Sequence, residues 1–319
     1  MNAVDGTPGA DLDALDRLVD DELWPAAIAV DAMPTIPAHH YEALAALGLH
    51  GMLVPRRLGG LGLDPRTARR TLRTLGRGCG ATAFAFAQHH GVAAALSRTD
   101  NQALAERWLP SLLSGTLAGT AFAHVRRAGP SAVRAEPDGD GFRLYGEAPW
   151  ATSWGSARIF SVAALDPDGR IVWVVVPGDA ADGLTPSAPL DLMVFGATAT
   201  VRLRFDGYRV GAADVVSVEE AEPWRRADRR GAVRPNPLCL GVGDRALRLL
   251  ADSAPEAAEA WIEPWARLGA EADAAAAAVD DGSDEVDAIA AVRARSVLTV
   301  QRLTTALLAA VGGRGAERS

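Results

Sequence analysis

The chain has 319 residues, of which 49% are hydrophobic and 23% charged, and a formal net charge of −8. This is the composition of an ordinary globular protein with room for about two self-supporting cores, and it excludes disordered and fibrous classes. The acidic balance argues against broad nucleic-acid binding, because neutralising phosphate needs a basic face.

All 32 basic residues are arginine and alanine is abundant, which marks a compositional bias and makes counts of those two residues poor functional clues. Cys79 and Cys239 are the only cysteines. They fall in different helical segments, so no disulfide framework is expected and a reducing, cytoplasmic setting is. The first residues, MNAVDGTPGADLDALDRLVDDEL, carry acids where a signal peptide needs a basic start and an apolar run. No run of about eighteen apolar residues occurs, so no membrane span is expected.

In chain order, Leu12, Leu15, Leu18, Val19 and Leu23 fall at helical spacing and predict a helix from Asp11 that ends near Pro25 or shortly after. A short helix follows Pro37 and is broken by Gly48 and Gly51. VPRRLGGLGLDP, from Val54 to Pro65, is too rich in glycine and proline for a helix and reads as a structured loop. Helices are predicted over Pro65 to Arg77, Ala81 to Leu96 and Asn101 to Leu113, closed by Ser114-Gly115.

The period then changes. TAFAHV, GFRLYGEA, ARIFSVAAL, RIVWVVVP and TATVRLRFDGYRV are short β-branched or aromatic runs, with turns at Asp138-Gly139 and Asp168-Gly169. In the last run Val201, Leu203 and Phe205 alternate with Arg202, Arg204 and Asp206, giving one buried and one wet face. No helix of about ten residues separates these strands, so an antiparallel sheet is predicted rather than a parallel, doubly wound one. From Asn236 onward three long amphipathic stretches follow: PLCLGVGDRALRLLA, Glu256 to Val279, and VDAIAAVRARSVLTVQRLTTALLAAV. The expected organisation is α+β and multidomain: helical over 1–116, a barrel-like β domain over 117–216, and a shortened helical domain over 217–319.

This order, together with LGLHGMLVPRRLGGLGLD (Leu47 to Asp64), resembles the acyl-CoA dehydrogenase family. PSLLSGTLAGTAFA resembles that family's entry into its first strand, and LYGEAPWATSWGSARIFSVAA resembles its Asn-Gly-x-Lys-x-Trp-Ile-Thr segment. DGYRVGAADVV resembles its exit from the β domain, with Val210-Gly211 in place of the usual Val-Pro. The resemblance implies a β domain that cradles the flavin ring of FAD against the C-terminal helices, with an acyl thioester on the ring's other face. It carries cofactor-binding roles onto Phe122, Val125, Trp150, Thr152, Gly312 and Gly313. Trp150 and Thr152 would lie beside the flavin, the Thr152 hydroxyl meeting the ring's polar edge. The alternative for Trp150 and Trp154 is that they are core or lid residues.

Several positions depart from the family pattern. Where it has Thr-Glu-Pro and then Gly-Ser, the chain reads Val125-Arg126-Arg127 and then Gly129-Pro130-Ser131, which removes a hydroxyl donor. The two arginines are open to two readings, solvated charge or a contact to phosphate or carboxylate. The family's Arg-x-x-Phe-Gly is missing, since no phenylalanine follows Phe205, and its Gln-x-x-Gly-Gly-x-Gly ending survives as Gly312, Gly313 and Gly315 with Ala309 in place of the glutamine. Oxidising an acyl thioester also needs a carboxylate to take the α-proton while hydride leaves for the flavin. The glutamate that does this in many members would lie beyond Ser319. In the stretch where other members carry it, Asp228 and Asp244 are the nearest carboxylates, and both read first as surface or helix-terminal charges. No catalytic residue is therefore assigned.

Other constellations are weaker. Gly241-Val242-Gly243-Asp244-Arg245-Ala246 matches a dinucleotide fingerprint, but too few residues precede it for the required strand, so close helix packing is the expected role. Arg225, Arg226, Arg229, Arg230 and Arg234 either face a phosphate or pair with Glu219, Glu220 and Glu222 upstream. His39-His40 and His89-His90 lack a third ligand at metal spacing, and no Gly-x-Ser-x-Gly elbow is present. The function expected from the resemblance is an FAD-dependent oxidoreductase acting on an acyl thioester. The alternatives are a catalytically silent partner subunit or thioester binder, and a flavin-dependent monooxygenase of the same fold. Ile289, Val292, Val297, Val300, Leu303 and Leu307 share one broad apolar face. It is expected to be covered either in an oligomer, with itself or with a longer homologue, or within the chain against Leu238 to Leu250 and Trp261 to Trp265.

Overall fold

The computed structural model describes residues 11–127 and 131–312. Six α-helices come first: α1 (Leu12–Leu18), α2 (Trp24–Asp31), α3 (Ala38–Ala46), α4 (Pro65–Leu75), α5 (Gly80–Leu96) and α6 (Gln102–Leu113). Their starts are written in the sequence. Asp11, Asp64 and Asn101 each accept a backbone N–H of the first turn of α1, α4 and α6, and Pro65 opens α4 where its missing donor has no partner to lose. The first helix does not end at Pro25. A π-helical turn over Val19–Leu23 shifts the ladder, and Pro25 falls in the first turn of α2, where a proline is tolerated. The glycine-rich loop after Val54 is held by close approach: a Cβ on Gly60 would lie 2.1 Å from the Val54 carbonyl oxygen.

Eight strands follow: β1 (Leu117–Ala121), β2 (Val133–Asp138), β3 (Gly141–Ala151), β4 (Ala157–Leu165), β5 (Arg170–Pro177), β6 (Leu184–Pro186), β7 (Val201–Val210) and β8 (Val215–Glu220). They form one sheet in the order β6-β7-β3-β2-β4-β5-β8, with β1 also on β4. The pairs β2/β3, β3/β7, β4/β5, β5/β8 and β6/β7 are antiparallel. β1 runs parallel to β4, with β2 meeting the far end of the same strand at Arg134 and Leu165. The parallel pair is possible because β2 and β3 intervene between β1 and β4 and supply the long return that such a pairing needs. Val201, Leu203 and Phe205 of β7 are buried and Arg202, Arg204 and Asp206 exposed, the alternation read from the sequence.

Sequence reasoning missed β2, β6, β8 and one helix. It also ran β1 too far, since Ala123–Arg126 is a 3-10 turn. Helix α7 (Ala221–Ala232) follows β8 directly. Arginine-rich and interrupted by Pro223 and Gly231, it has no apolar period to detect, and only Ala221 and Arg225 are buried. Helices α8 (Pro237–Ser253), α9 (Pro255–Asp280) and α10 (Val286–Val311) complete the chain.

One core runs from α1–α5 into the sheet through Leu15, Leu44, Phe86, Leu144, Phe160 and Leu203. The C-terminal helices have their own core, in which Ile289, Val300 and Leu303 are buried, the last two against Leu240, Leu250 and Trp265. The chain thus covers most of the apolar face of α10, leaving Val297, Leu298 and Leu308 exposed. Gly241 and Gly243 lie inside α8 as packing points. A Cβ on the first would sit 2.1 Å from the Arg73 carbonyl oxygen, and on the second 2.2 Å from the Trp265 ring. Cys79 and Cys239 are free thiols. Among the described residues no helix is long and apolar enough to cross a membrane.

Candidate active site

Two cavities meet at the C-terminal end of β1. The first, about 550 Å³, lies between α5, the ends of β1 and β3, and the segment joining β6 to β7. Phe84 of α5 stacks on Phe195 at 5.4 Å and forms one wall, and Trp150 of β3, 51% exposed, stands at the mouth beside Met193 and Val194.

Along the floor runs a chain of hydroxyls. Thr198 donates to the Phe195 carbonyl at 2.7 Å, lies 2.9 Å from the Thr200 hydroxyl, and Thr200 lies 3.1 Å from Thr152. With the Thr198 proton committed, Thr200 must donate to Thr198 and Thr152 to Thr200 for all three bonds to form at once. Thr152 then presents lone pairs to the cavity and can accept a hydrogen bond from a ligand N–H. Nearby, Thr120 donates to the Gln88 side chain at 2.9 Å, tying β1 to α5.

Backbone strain gathers here as well. Among the described residues the non-glycine positions with positive φ are Ser153 (77°), Phe195 (66°) and Ala199 (44°). Phe195 lines the cavity, and the other two adjoin the lining residues Thr152, Thr198 and Thr200. Each such position costs roughly 1–3 kcal/mol and persists only where its surroundings over-determine it. The turn after β3 is bonded to the β6–β7 segment by Ser153 N–H to Thr198 O at 2.7 Å and Trp154 N–H to Ala199 O at 3.3 Å. The Asp31 carboxylate accepts the Phe195 N–H at 2.6 Å. The floor is therefore held rigid from three sides.

The second cavity, about 510 Å³, lies between α5, β4, β5, β8 and α7, and shares Thr120 and Phe122 with the first. Phe122 packs with Trp173 at 5.6 Å and Trp224 at 6.2 Å. Arg126 lines the first cavity with its guanidinium 4.8 Å from the Phe122 ring. It donates to both carboxylate oxygens of Asp228, which lines the second, at 2.9 and 3.0 Å. Phe122 and this ion pair form the partition between the cavities. Arg225 fixes the partition by donating to the Val125 carbonyl at 2.9 Å.

The residues singled out from the sequence separate accordingly. Phe122, Trp150 and Thr152 line the first cavity. Val125 is fully buried and contributes a backbone carbonyl to the clamp from α7. Trp154 stacks on Phe160 at 5.6 Å and packs on the core, as its structural alternative had it. Gly312 caps α10 with φ 61° and lines neither cavity, and Gly313 lies outside the described residues. Asp244 is structural: it accepts from Arg73 at 2.6 and 2.7 Å and from the Trp265 indole at 2.8 Å. Arg126 makes the ion pair just described, while Arg225, Arg230 and Arg234 pair with Glu222, Asp284 and Asp280. Phe84, Gln88, Phe195, Thr198, Thr200, Trp173 and Trp224 were not singled out. The only sequence signal among them was Gln88, a polar residue in a mostly apolar helix.

Comparison with known proteins agrees with the architecture. Residues 11–116 match the family described as acyl-CoA dehydrogenase, N-terminal domain. A probable acyl-CoA dehydrogenase of Bacillus subtilis, YngJ, is 29% identical over 205 residues, covering 61% of this chain and 54% of that protein. The chain spans about half the length of the curated relatives it matches. Among solved structures, butyryl-CoA dehydrogenase from Megasphaera elsdenii superposes with a TM-score of 0.78 at 19% identity, over 99% of this chain and 90% of that one. The dibenzothiophene monooxygenase TdsC from Paenibacillus sp. A11-2 superposes with a TM-score of 0.76 at 19% identity, over 96% and 87%. The N-terminal helices thus match the N-terminal domain of the acyl-CoA dehydrogenase family, and the chain as a whole has the acyl-CoA dehydrogenase-like fold.

Proposed function

We propose that the chain is an FAD-dependent oxidoreductase of the acyl-CoA dehydrogenase type, acting on an acyl thioester by CH–CH oxidation. The observation that carries this reading is the pair of cavities divided by Phe122, one walled by aromatic rings over a hydroxyl floor and the other of mixed lining that includes Arg98, Ser161, Ser217, Glu219 and Asp228. The first cavity fits a flat heteroaromatic ring with a polar edge: Trp150, Phe84 and Phe195 supply its apolar walls, and Thr152 supplies an acceptor. A bound flavin supplies a hydride acceptor there. The second cavity would receive the thioester, and Thr120 and Phe122, which line both cavities, would stand where its acyl carbons approach the cofactor.

Asp228 is the carboxylate of this second cavity that lies beside the partition. Both of its oxygens accept hydrogen bonds from Arg126, which engages one acceptor site on each and holds the carboxylate against the partition. That pairing favours a second reading in which no α-proton is removed: a thioester-binding partner subunit, or a monooxygenase of the same fold. Assembly with a second copy or with a longer homologue, through the exposed Val297, Leu298 and Leu308 of α10, belongs to the same proposal, as does a cytoplasmic location.

Absorbance tests the cofactor. FAD-loaded protein should absorb near ~450 nm, as flavins do, and Thr152→Val together with Trp150→Ala should weaken FAD binding. Anaerobic bleaching by an acyl-CoA supports the dehydrogenase. Flavin binding without bleaching moves the reading to base-free chemistry, and failure to bind added FAD overturns the flavoprotein reading.

A further inference from the structure

The second cavity is more polar than an alkyl chain requires. Ser161 on β4 lines it and is 4% exposed, yet its hydroxyl makes no hydrogen bond to any described residue. It is also absent from the polar atoms sealed away from the surface without a partner, so the hydroxyl opens onto the cavity. Thr120, its register partner on β1, has its own hydroxyl committed to Gln88. A buried hydroxyl left without a partner costs free energy unless a ligand or water satisfies it. Across the cavity stand Asp228 of α7 and Ser217 of β8.

The charges around the cavity nearly cancel. The carboxylates of Asp228 and Glu219 and the guanidinium of Arg98 all line it, while Arg126 is spent on Asp228 from the other side of the partition. An anionic substituent would meet two carboxylates, and a plain alkyl chain would strip water from Ser161, Ser217 and Asp228 and return nothing. A neutral hydroxyl suits both sides, since it accepts from Ser161 and donates to an acceptor such as Asp228.

We propose that this cavity selects a short acyl thioester bearing a hydroxyl group, with Ser161 as a specificity-determining residue. The proposal rests on the reading of the second cavity as the thioester site. Trp173 and Trp224 line the cavity and report binding by their fluorescence.

The test is titration of the full chain with 2- and 3-hydroxybutyryl-CoA, butyryl-CoA, octanoyl-CoA and free CoA, followed by fluorescence quenching and calorimetry. The expected result is that one hydroxybutyryl thioester binds at least tenfold tighter than butyryl-CoA. Ser161→Ala, shown by circular dichroism to be folded, should remove that advantage and leave butyryl-CoA affinity unchanged. Equal or tighter binding of butyryl- or octanoyl-CoA by the unmodified chain overturns the proposal whatever the variant does. So does a Ser161→Ala variant that weakens both ligands alike. If no thioester binds at all, the thioester reading itself falls and takes this proposal with it.

Discussion

Acidification should destabilise this fold well before its carboxylates protonate, because it buries neutral histidines. His40, His89 and His90 are almost fully buried. Burial pushes His40 down to about 4 and His89 down to about 3, and it holds His90 well below the usual imidazole range. The hydrogen bonds agree. His89 donates from Nε2 to the His50 carbonyl at 3.0 Å and accepts the Ala118 N–H on Nδ1 at 3.2 Å, so it has no lone pair free for a second proton. Neither ring nitrogen of His90 has a partner, and its ring packs edge-on against Phe86 at 4.7 Å.

With folded pKa values depressed, stability is full above the unfolded value near 6.5 and falls as the unfolded chain takes up protons that the folded chain refuses. The loss continues down to about pH 4 for His40 and about pH 3 for His89. At pH 5 each of the three histidines removes about 2 kcal/mol relative to pH 7.5, about 6 kcal/mol together. That is comparable with the whole stability of many domains. Urea unfolding followed by tryptophan fluorescence and far-ultraviolet circular dichroism between pH 7.5 and 5 should show a limiting slope of at least about 4 kcal/mol per pH unit and uptake of at least about three protons, since burial also holds His50 and His124 below the usual imidazole range. His90→Leu should reduce the slope by about 1.4 kcal/mol per pH unit, one proton's worth, and recover roughly 2 kcal/mol at pH 5. Stability that stays flat from pH 6.5 to 5, or unfolding without proton uptake, would refute the argument. The depressed carboxyls of Asp20 and Asp64 act in a separate window, below their usual range near 3.8.

Asp244→Ala should cost about 2–3 kcal/mol, the low end for breaking a buried ion pair because both partners are about one-quarter exposed. Ligand binding in the cavities should be unaffected; lost activity at an unchanged melting temperature would contradict this structural role. Gly119→Ala would place a Cβ 2.3 Å from the Phe160 ring and 2.8 Å from the Thr152 carbonyl oxygen. It should lower stability by about 1–3 kcal/mol and weaken FAD binding through Thr152; a variant as stable as the parent would count against the tight packing under the floor. Ala199→Gly relieves a left-handed alanine at φ 44° and should stabilise by up to about 1 kcal/mol in thermal melts. Destabilisation of that size would mean that the alanine methyl matters more than the strain.

The sequence by itself determined those features whose signals are local. The helix starts at Asp64 and Asn101 are set by side chains that reach only a few residues along the chain. The two faces of β7 follow from strict alternation in Val201–Phe205, and the glycines of the Val54–Pro65 loop from positive φ at Gly59 and Gly62 and a backbone approach at Gly60 that tolerates no Cβ. Phe122, Trp150 and Thr152, which line the first cavity, could be singled out because they fall in two separate stretches that resemble family segments. The tertiary structure alone decided what depends on residues distant in sequence. Helix α7 has no apolar period and exists because Arg225 and Asp228 meet a turn about a hundred residues earlier. The hydroxyl floor joins Thr152 to Thr198 and Thr200 across the sheet, and Ser161 becomes a candidate only once β5, β8 and α7 close a cavity around it. Asp228 and Asp244 look alike in sequence. Burial beside different partners makes one a wall of the site and the other a brace between α4 and α8, because a carboxylate's role is set by the cations within its reach.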